Sequence, residues 1–222
     1  MVTGFDSHRS RARDLAISAV FAALMAFGAL FSIPLYLVPL SLQTFFVYLS
    51  VLLLGRSAFM SQAIYILMGL AGLPIFSKGM AGYAAFLGPT GGFIVGFLLA
   101  AVFGGGLYGR VASRRGAAAA SAGLSMLIIF LAGWAWMTYW LGGNYVLAFI
   151  SGVLPFLPGD VLKAALAIIV AGRLQKHGIG WAGAGKAGGG LPAEDCMNGG
   201  RERETRGREC PLQAGRGTEE GK

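Results

Sequence analysis

Asp160 and Lys163 stand three residues apart in PFLPGDVLKAAL, Pro155 to Leu166, one of the most apolar parts of the chain. On a helix that spacing puts both side chains on one face with their tips within reach of each other. A carboxylate there can accept two N–H bonds, and an ammonium can donate to a carbonyl or a carboxylate. Such a pair reads a small polar solute that carries both donors and acceptors, such as a cyclic urea or an amide. An ionisable group at bilayer depth costs roughly 2.5–3.5 kcal/mol even on the lenient insertion scale, and such groups face a cavity or the bundle interior. A purely structural pair has the same spacing, as does an aspartate capping the helix after Pro158-Gly159 with a lysine snorkelling outward. Spacing alone leaves these readings open.

Enzyme chemistry is limited by what the apolar region lacks. Between Asp14 and Gln175 the one further carboxylate is Asp160, and histidine is absent. A paired-carboxylate mechanism needs a second acid, metal hydrolysis needs several ligands, and a serine nucleophile needs a base. Cys196 and Cys210 both fall in the polar tail, so no thiol site can form in the apolar part. The expectation is a protein that is not an enzyme and has no metal and no cofactor. GWAGAGKA, residues 180–187, comes close to a phosphate-cradling loop, but Ala187 stands where a hydroxyl would meet magnesium and Gly-Gly-Gly-Leu-Pro follows where a helix must start. GGGLYG, 104–109, fits a dinucleotide spacing but lies in an apolar helix, where small residues serve close packing. Uphill transport therefore needs an ion gradient or another protein.

The elements that must position the pair are membrane spans. Hydrophobic residues make up 55% of the 222 and charged residues 13%, with a mean hydropathy of +0.65, which excludes an ordinary soluble domain. Apolar runs predict six spans near 13–32, 41–54, 57–73, 92–109, 117–140 and 160–174. Basic residues precede the first run, but its length marks a retained helix rather than a cleaved signal. Pro155 and Pro158 interrupt the run from Asn144, which predicts a re-entrant or broken segment before the last span. With six spans and the N-terminus inside, Arg9, Arg11, Arg13, Arg56, Arg110, Arg114, Arg115, Arg173 and Lys176 lie inside and Lys78 alone lies outside. That bias places both termini in the cytoplasm and gives the net charge of +8 a topological meaning rather than a nucleic-acid one. The fold class is thus an all-α polytopic membrane protein. It divides into a cytoplasmic segment 1–12, a membrane domain 13–174 and a Gly/Arg/Glu-rich tail 175–222 that is expected to be disordered.

Two outer segments are suited to close contact with a solute. Gln43 and Thr44 enter the second span, and Gly72 to Phe93 mixes glycines with Phe76, Tyr83 and Phe86 around a Pro89-Thr90 turn. Such a loop can cover an apolar ring while offering backbone N–H groups to an anion, although an ordinary turn has the same composition.

RDLAISAVFAALMAFGALFSIPL, SLQT, GLAGLPIF, LGPTGGF and PFLPGDVLKAALA, in this order over roughly residues 10 to 174, resemble the BioY family of biotin transporters, the substrate-binding S components of energy-coupling-factor transporters. The resemblance implies a six-helix protein with biotin in a pocket open to the outside. It assigns Asp160 to ureido N–H groups and Lys163 to the ureido carbonyl, and places the loop amides from Gly88 through Thr90, Gly91 and Gly92 near the carboxylate. Phe76, Tyr83 and Trp140 are candidate apolar walls, Gln43 and Thr44 candidate polar contacts, and Lys78 either a ligand contact or a solvated side chain. The resemblance also implies energising partners, a transmembrane coupling protein and two ATP-binding subunits, met through small residues of the first helix. Ser18, Ala22 and Ala26, flanked by Ala19 and Ala23, make such a stripe, and packing within the bundle would use the same spacing. An S component for another vitamin and a membrane enzyme acting on a lipid-linked substrate are the rival readings.

Overall fold

The computed structural model describes residues 4–35, 38–112, 114 and 116–177. Arg115 and the tail from 178 to 222, with both cysteines and GWAGAGKA, lie outside them, as do the side chains of Arg9 and Arg11. Among the described residues eight α-helices carry the fold: α1 (Gly4–Leu30), α2 (Gln43–Leu54), α3 (Ala58–Leu70), α4 (Gly82–Leu87), α5 (Gly91–Val111), α6 (Ala117–Trp140), α7 (Tyr145–Gly152) and α8 (Leu157–Lys176). The first helix starts well before residue 13, because Arg, Ala and Leu favour helix and no glycine or proline interrupts HRSRARDLA.

Length and apolarity pick out four stretches able to cross a membrane, Ala12–Leu30, Gln43–Leu70, Gly91–Val111 and Ala117–Trp140, and a fifth if α7 and α8, bent by 50°, count as one. Gln43–Leu70 is not a straight rod. Gly55 adopts φ 56° and ψ −120°, a region open to glycine and costly for other residues. Gln62 Nε2 donates to Ser50 Oγ at 2.9 Å, whereas twelve residues along a straight helix span about 18 Å. The chain therefore reverses through the 3₁₀ turn Gly55–Ser57, and α2 and α3 are two antiparallel arms.

Six helices alternate in direction. The end of α1 meets the start of α2, where Leu42 N–H donates to the Gly28 carbonyl at 3.2 Å. The end of α3 returns to the same level, with the Tyr65 hydroxyl on the Ile75 carbonyl at 2.9 Å. Helix α5 descends until Gly105 rests on the Gly55 carbonyl, and α6 climbs back beside it, with Gly104 against Ser125 and Gly92 against Trp136. The glycines of GGGLYG are thus packing surfaces that let helix backbones approach. Helix α8 descends alongside α2: Asp160 lies by Thr44 at one end, and Gln175 Nε2 donates to the Leu52 carbonyl at 2.8 Å at the other.

One feature escapes the all-helical expectation. Between α1 and α2, Ser32–Leu35 (β1) and Val38–Ser41 (β2) pair antiparallel, with Ser32 opposite Ser41 and Leu35 opposite Val38. Pro34 and Pro39 forbid a helix there, and Ile33, Leu35 and Val38 beside them suit an extended ribbon. The core lies among α1, α2, α3, α5 and α6, with Met25, Val47, Val51, Leu52, Tyr65 and Ile129 almost wholly enclosed.

Candidate binding site

Helix α8 opens with Leu157-Pro158-Gly159, where proline fits because its missing N–H has no intrahelical partner. Asp160 follows in the first turn, where the positive end of the helix dipole favours an anion. Its side chain does not cap the helix and turns into the bundle instead. It is 3% exposed, with two side-chain partners from α2 and a third from the next turn of α8. Thr44 Oγ1 donates to Oδ1 at 2.9 Å, Lys163 Nζ to Oδ1 at 2.8 Å, and the Tyr48 hydroxyl to Oδ2 at 3.3 Å. Lys163 Nζ also donates to the Ser41 carbonyl at 2.7 Å and to Thr44 Oγ1 at 3.2 Å. An ammonium has three N–H bonds, so this lysine is fully committed and its charge is neutralised at short range.

The pair forms one wall of a cavity that is open on one side. Ser41, Gln43, Thr44, Ser77 and Thr90 give it a polar rim beside Asp160 and Lys163, and Phe76, Phe93, Ile94, Phe97, Ile129, Phe130 and Phe156 give it an apolar body. A solute with a compact polar head and a greasy ring suits this division. An aspartate capping the helix with a lysine snorkelling outward does not describe what is seen.

The structure gathers Asp160, Lys163, Gln43, Thr44, Phe76 and Thr90 around this cavity. Tyr83 (71% exposed) and Trp140 (49% exposed) are not among its lining residues, so neither walls it. Aromatic walls come instead from the first turns of α5, from α6 and from the turn before α8. Gly91 and Gly92 are buried helix-packing positions: a side chain on Gly91 would strike the Phe86 carbonyl, and one on Gly92 the Trp136 side chain and the Ala132 carbonyl. The Gly88 carbonyl accepts from Trp136 Nε1 at 2.9 Å, and the Gly91 N–H donates to Gly88. These three glycines shape the rim through contacts with α6 and the preceding turn. Lys78 is exposed, one residue past Ser77.

On α1, Ser18 and Ala22 are 0% and 2% exposed and pack inside the bundle, and Ala26 is half-buried against the core. The helical turn carries Ala19 and Ala23 to the exposed side. The stripe of Ser18, Ala22 and Ala26 is therefore a packing seam, and its flanking alanines Ala19 and Ala23 face outward.

Tyr48 is the polar partner that sequence reading missed. It is fully buried and reaches Asp160 without lining the cavity. Its signal was the i, i+4 relation to Thr44, which puts both hydroxyls on one face of α2. Tyr48→Phe is expected to leave the protein folded and to weaken ligand binding by about threefold to tenfold, the value of one ordinary hydrogen bond, because at 3.3 Å this one is long. Calorimetric titration checks it, and an unchanged affinity removes Tyr48 from the site.

A family model described as "BioY family" matches residues 5–179. The "Probable biotin transporter BioY" of Pyrococcus horikoshii is 41% identical over 166 residues, 74% of this chain and 98% of that protein. The "Biotin transporter BioY" of Thermotoga maritima is 35% identical over 168 residues, 74% of this chain and 96% of that protein. Among solved structures, the S-component for biotin from an ECF-type ABC transporter superposes with a TM-score of 0.68 at 25% identity, covering 76% of this chain and 93% of its own.

Proposed function

The chain belongs to the BioY family, and from that membership and the cavity's geometry we infer that it is the biotin-capturing S component of an uptake transporter. It takes biotin from the outside and delivers it to the cytoplasm, with no covalent step. The observation that carries the reading is the neutralised Asp160–Lys163 pair set beside a polar rim in a cavity with an apolar, largely aromatic body. Biotin matches that division: its ureido ring has two N–H donors and a carbonyl, and its thiophane ring is apolar. Asp160 has acceptor capacity left after three bonds and is the partner for ureido N–H. Lys163 reaches the ureido carbonyl by exchanging its longest bond, the one to Thr44.

Energy comes from partners, a transmembrane coupling protein and ATP-binding subunits. Ala19 and Ala23 on the exposed face of α1 are the small residues that meet the coupling protein, in place of Ser18 and Ala22. The six alternating helices serve as the membrane domain. Arg56, Arg110, Arg114, Arg173 and Lys176 are all exposed at the end away from the cavity, which supports a cytoplasmic location for that end and for both termini.

The test is direct. Purified in detergent, the chain is expected to bind one biotin per protein in calorimetric titration. Heat with a different vitamin and none with biotin would move it to another substrate within the same class of transporter.

A further inference from the structure

Building on the biotin reading, we propose that Lys78 is the anion-selecting residue of this chain, supplying at the outer mouth the positive charge by which the site prefers a ligand ending in a carboxylate over its neutral ester. The need for such a charge follows from the site itself. Asp160 and Lys163 cancel, and all three lysine N–H bonds are spent on Ser41, Thr44 and Asp160. The other polar lining groups, Gln43, Ser77 and Thr90, are neutral. A carboxylate entering the cavity therefore finds no net positive charge inside it.

Outside the cavity the choice is narrow. The segments joining helices at the cavity end are residues 31–42, 71–90 and 141–156, and Lys78 is the single ionisable cation in them. It directly follows Phe76 and Ser77, both of which line the cavity, and Ser77 Oγ lies 3.5 Å from Gln43 Oε1, fixing this turn at the rim. The Lys78 side chain itself is exposed. Its backbone is the second observation. Lys78 has φ 63°, ψ 20°, and it is the sole non-glycine residue at positive φ among the described residues. The left-handed region is costly for a side-chain-bearing residue, and such strain concentrates at ligand clamps. Gly79, the next residue, also sits at positive φ, so the turn could be built from two glycines without strain. It instead carries a lysine in a backbone conformation that glycine would adopt without cost.

The experiment uses the full chain in nanodiscs, titrated with biotin and with biotin methyl ester, and compares the unmodified protein with Lys78→Gly and Lys78→Arg. Lys78→Gly removes the charge while relaxing the backbone, so loss of folding does not confound it. Biotin binding is expected to weaken by about twofold to fivefold in Lys78→Gly, the scale of one exposed charge, with ester binding unchanged. Lys78→Arg is expected to keep the preference, and the preference is expected to shrink as ionic strength is raised toward roughly 0.5 M. An acid-to-ester ratio that Lys78→Gly does not move overturns the inference and leaves the biotin reading standing. If the unmodified chain binds neither compound, the biotin reading and the inference fall together.

Discussion

Asp160→Asn is expected to weaken biotin binding by about a hundredfold or more, because removing one member of a buried, hydrogen-bonded charge pair leaves the other unpaired. In the native site Asp160 takes three donors, Thr44, Tyr48 and Lys163. An asparagine presents an oxygen on one side and an NH₂ on the other, so it must turn a donor toward Lys163, Tyr48 or the ligand's own N–H. Each choice loses a bond, and Lys163, 13% exposed at its side chain, keeps a charge with nothing opposite it. The double variant Asp160→Asn/Lys163→Met separates stability from recognition. It is expected to recover thermal stability, since no isolated charge remains, and still to bind biotin no better than the single variant. Calorimetry with biotin reads the first effect and thermal denaturation in detergent the second. Single-variant affinity within threefold of the native value would remove Asp160 from the ligand and leave the pair a structural one.

Gly92→Val is expected to destabilise the bundle by about 3 kcal/mol, through the overpacking of a closed helix interface. A Cβ at Gly92 runs into the Trp136 side chain and comes within 2.6 Å of the Ala132 carbonyl. The second contact is with backbone, so α5 and α6 must separate to admit it. Melting temperature and folded yield without ligand report this. Gly123→Ala is the control, because a Cβ there meets nothing within 4 Å and alanine favours helix over glycine. Its melting temperature is expected to equal or exceed that of the native chain. A Gly92→Val protein that melts normally yet loses biotin would return the glycines after Pro89 to the role of an anion-binding loop.

The helices that reach across the bundle and the broken segment before the last one were legible because long apolar runs and proline are local signals. Lys163 beside Asp160 was legible for the same reason: three residues on a helix specify a shared face whatever surrounds it. The small-residue pattern of α1 was also visible, but its direction was not. Ser18 and Ala22 match a partner-binding stripe as well as a packing seam, and the neighbouring helices decide between the two. The aromatic walls failed for a related reason. Trp140 and Tyr83 are large and aromatic, yet neither lines the cavity, while Phe93, Phe97, Phe130 and Phe156 carry no local mark that separates a cavity wall from bundle packing.

By itself, the sequence determined that this chain is apolar, helical and poor in catalytic groups, and that one acid and one base share a face near the start of the last long helix. Those properties depend on composition and on spacings of a few residues, which helix geometry converts directly into structure. Only the tertiary structure decided that Thr44 and Tyr48 meet Asp160 across more than a hundred residues of chain. It also decided that Gln43–Leu70 doubles back at Gly55 and that Gly91 and Gly92 serve packing. Each of these depends on which helix lies against which, and burial between distant segments carries no local periodic signal.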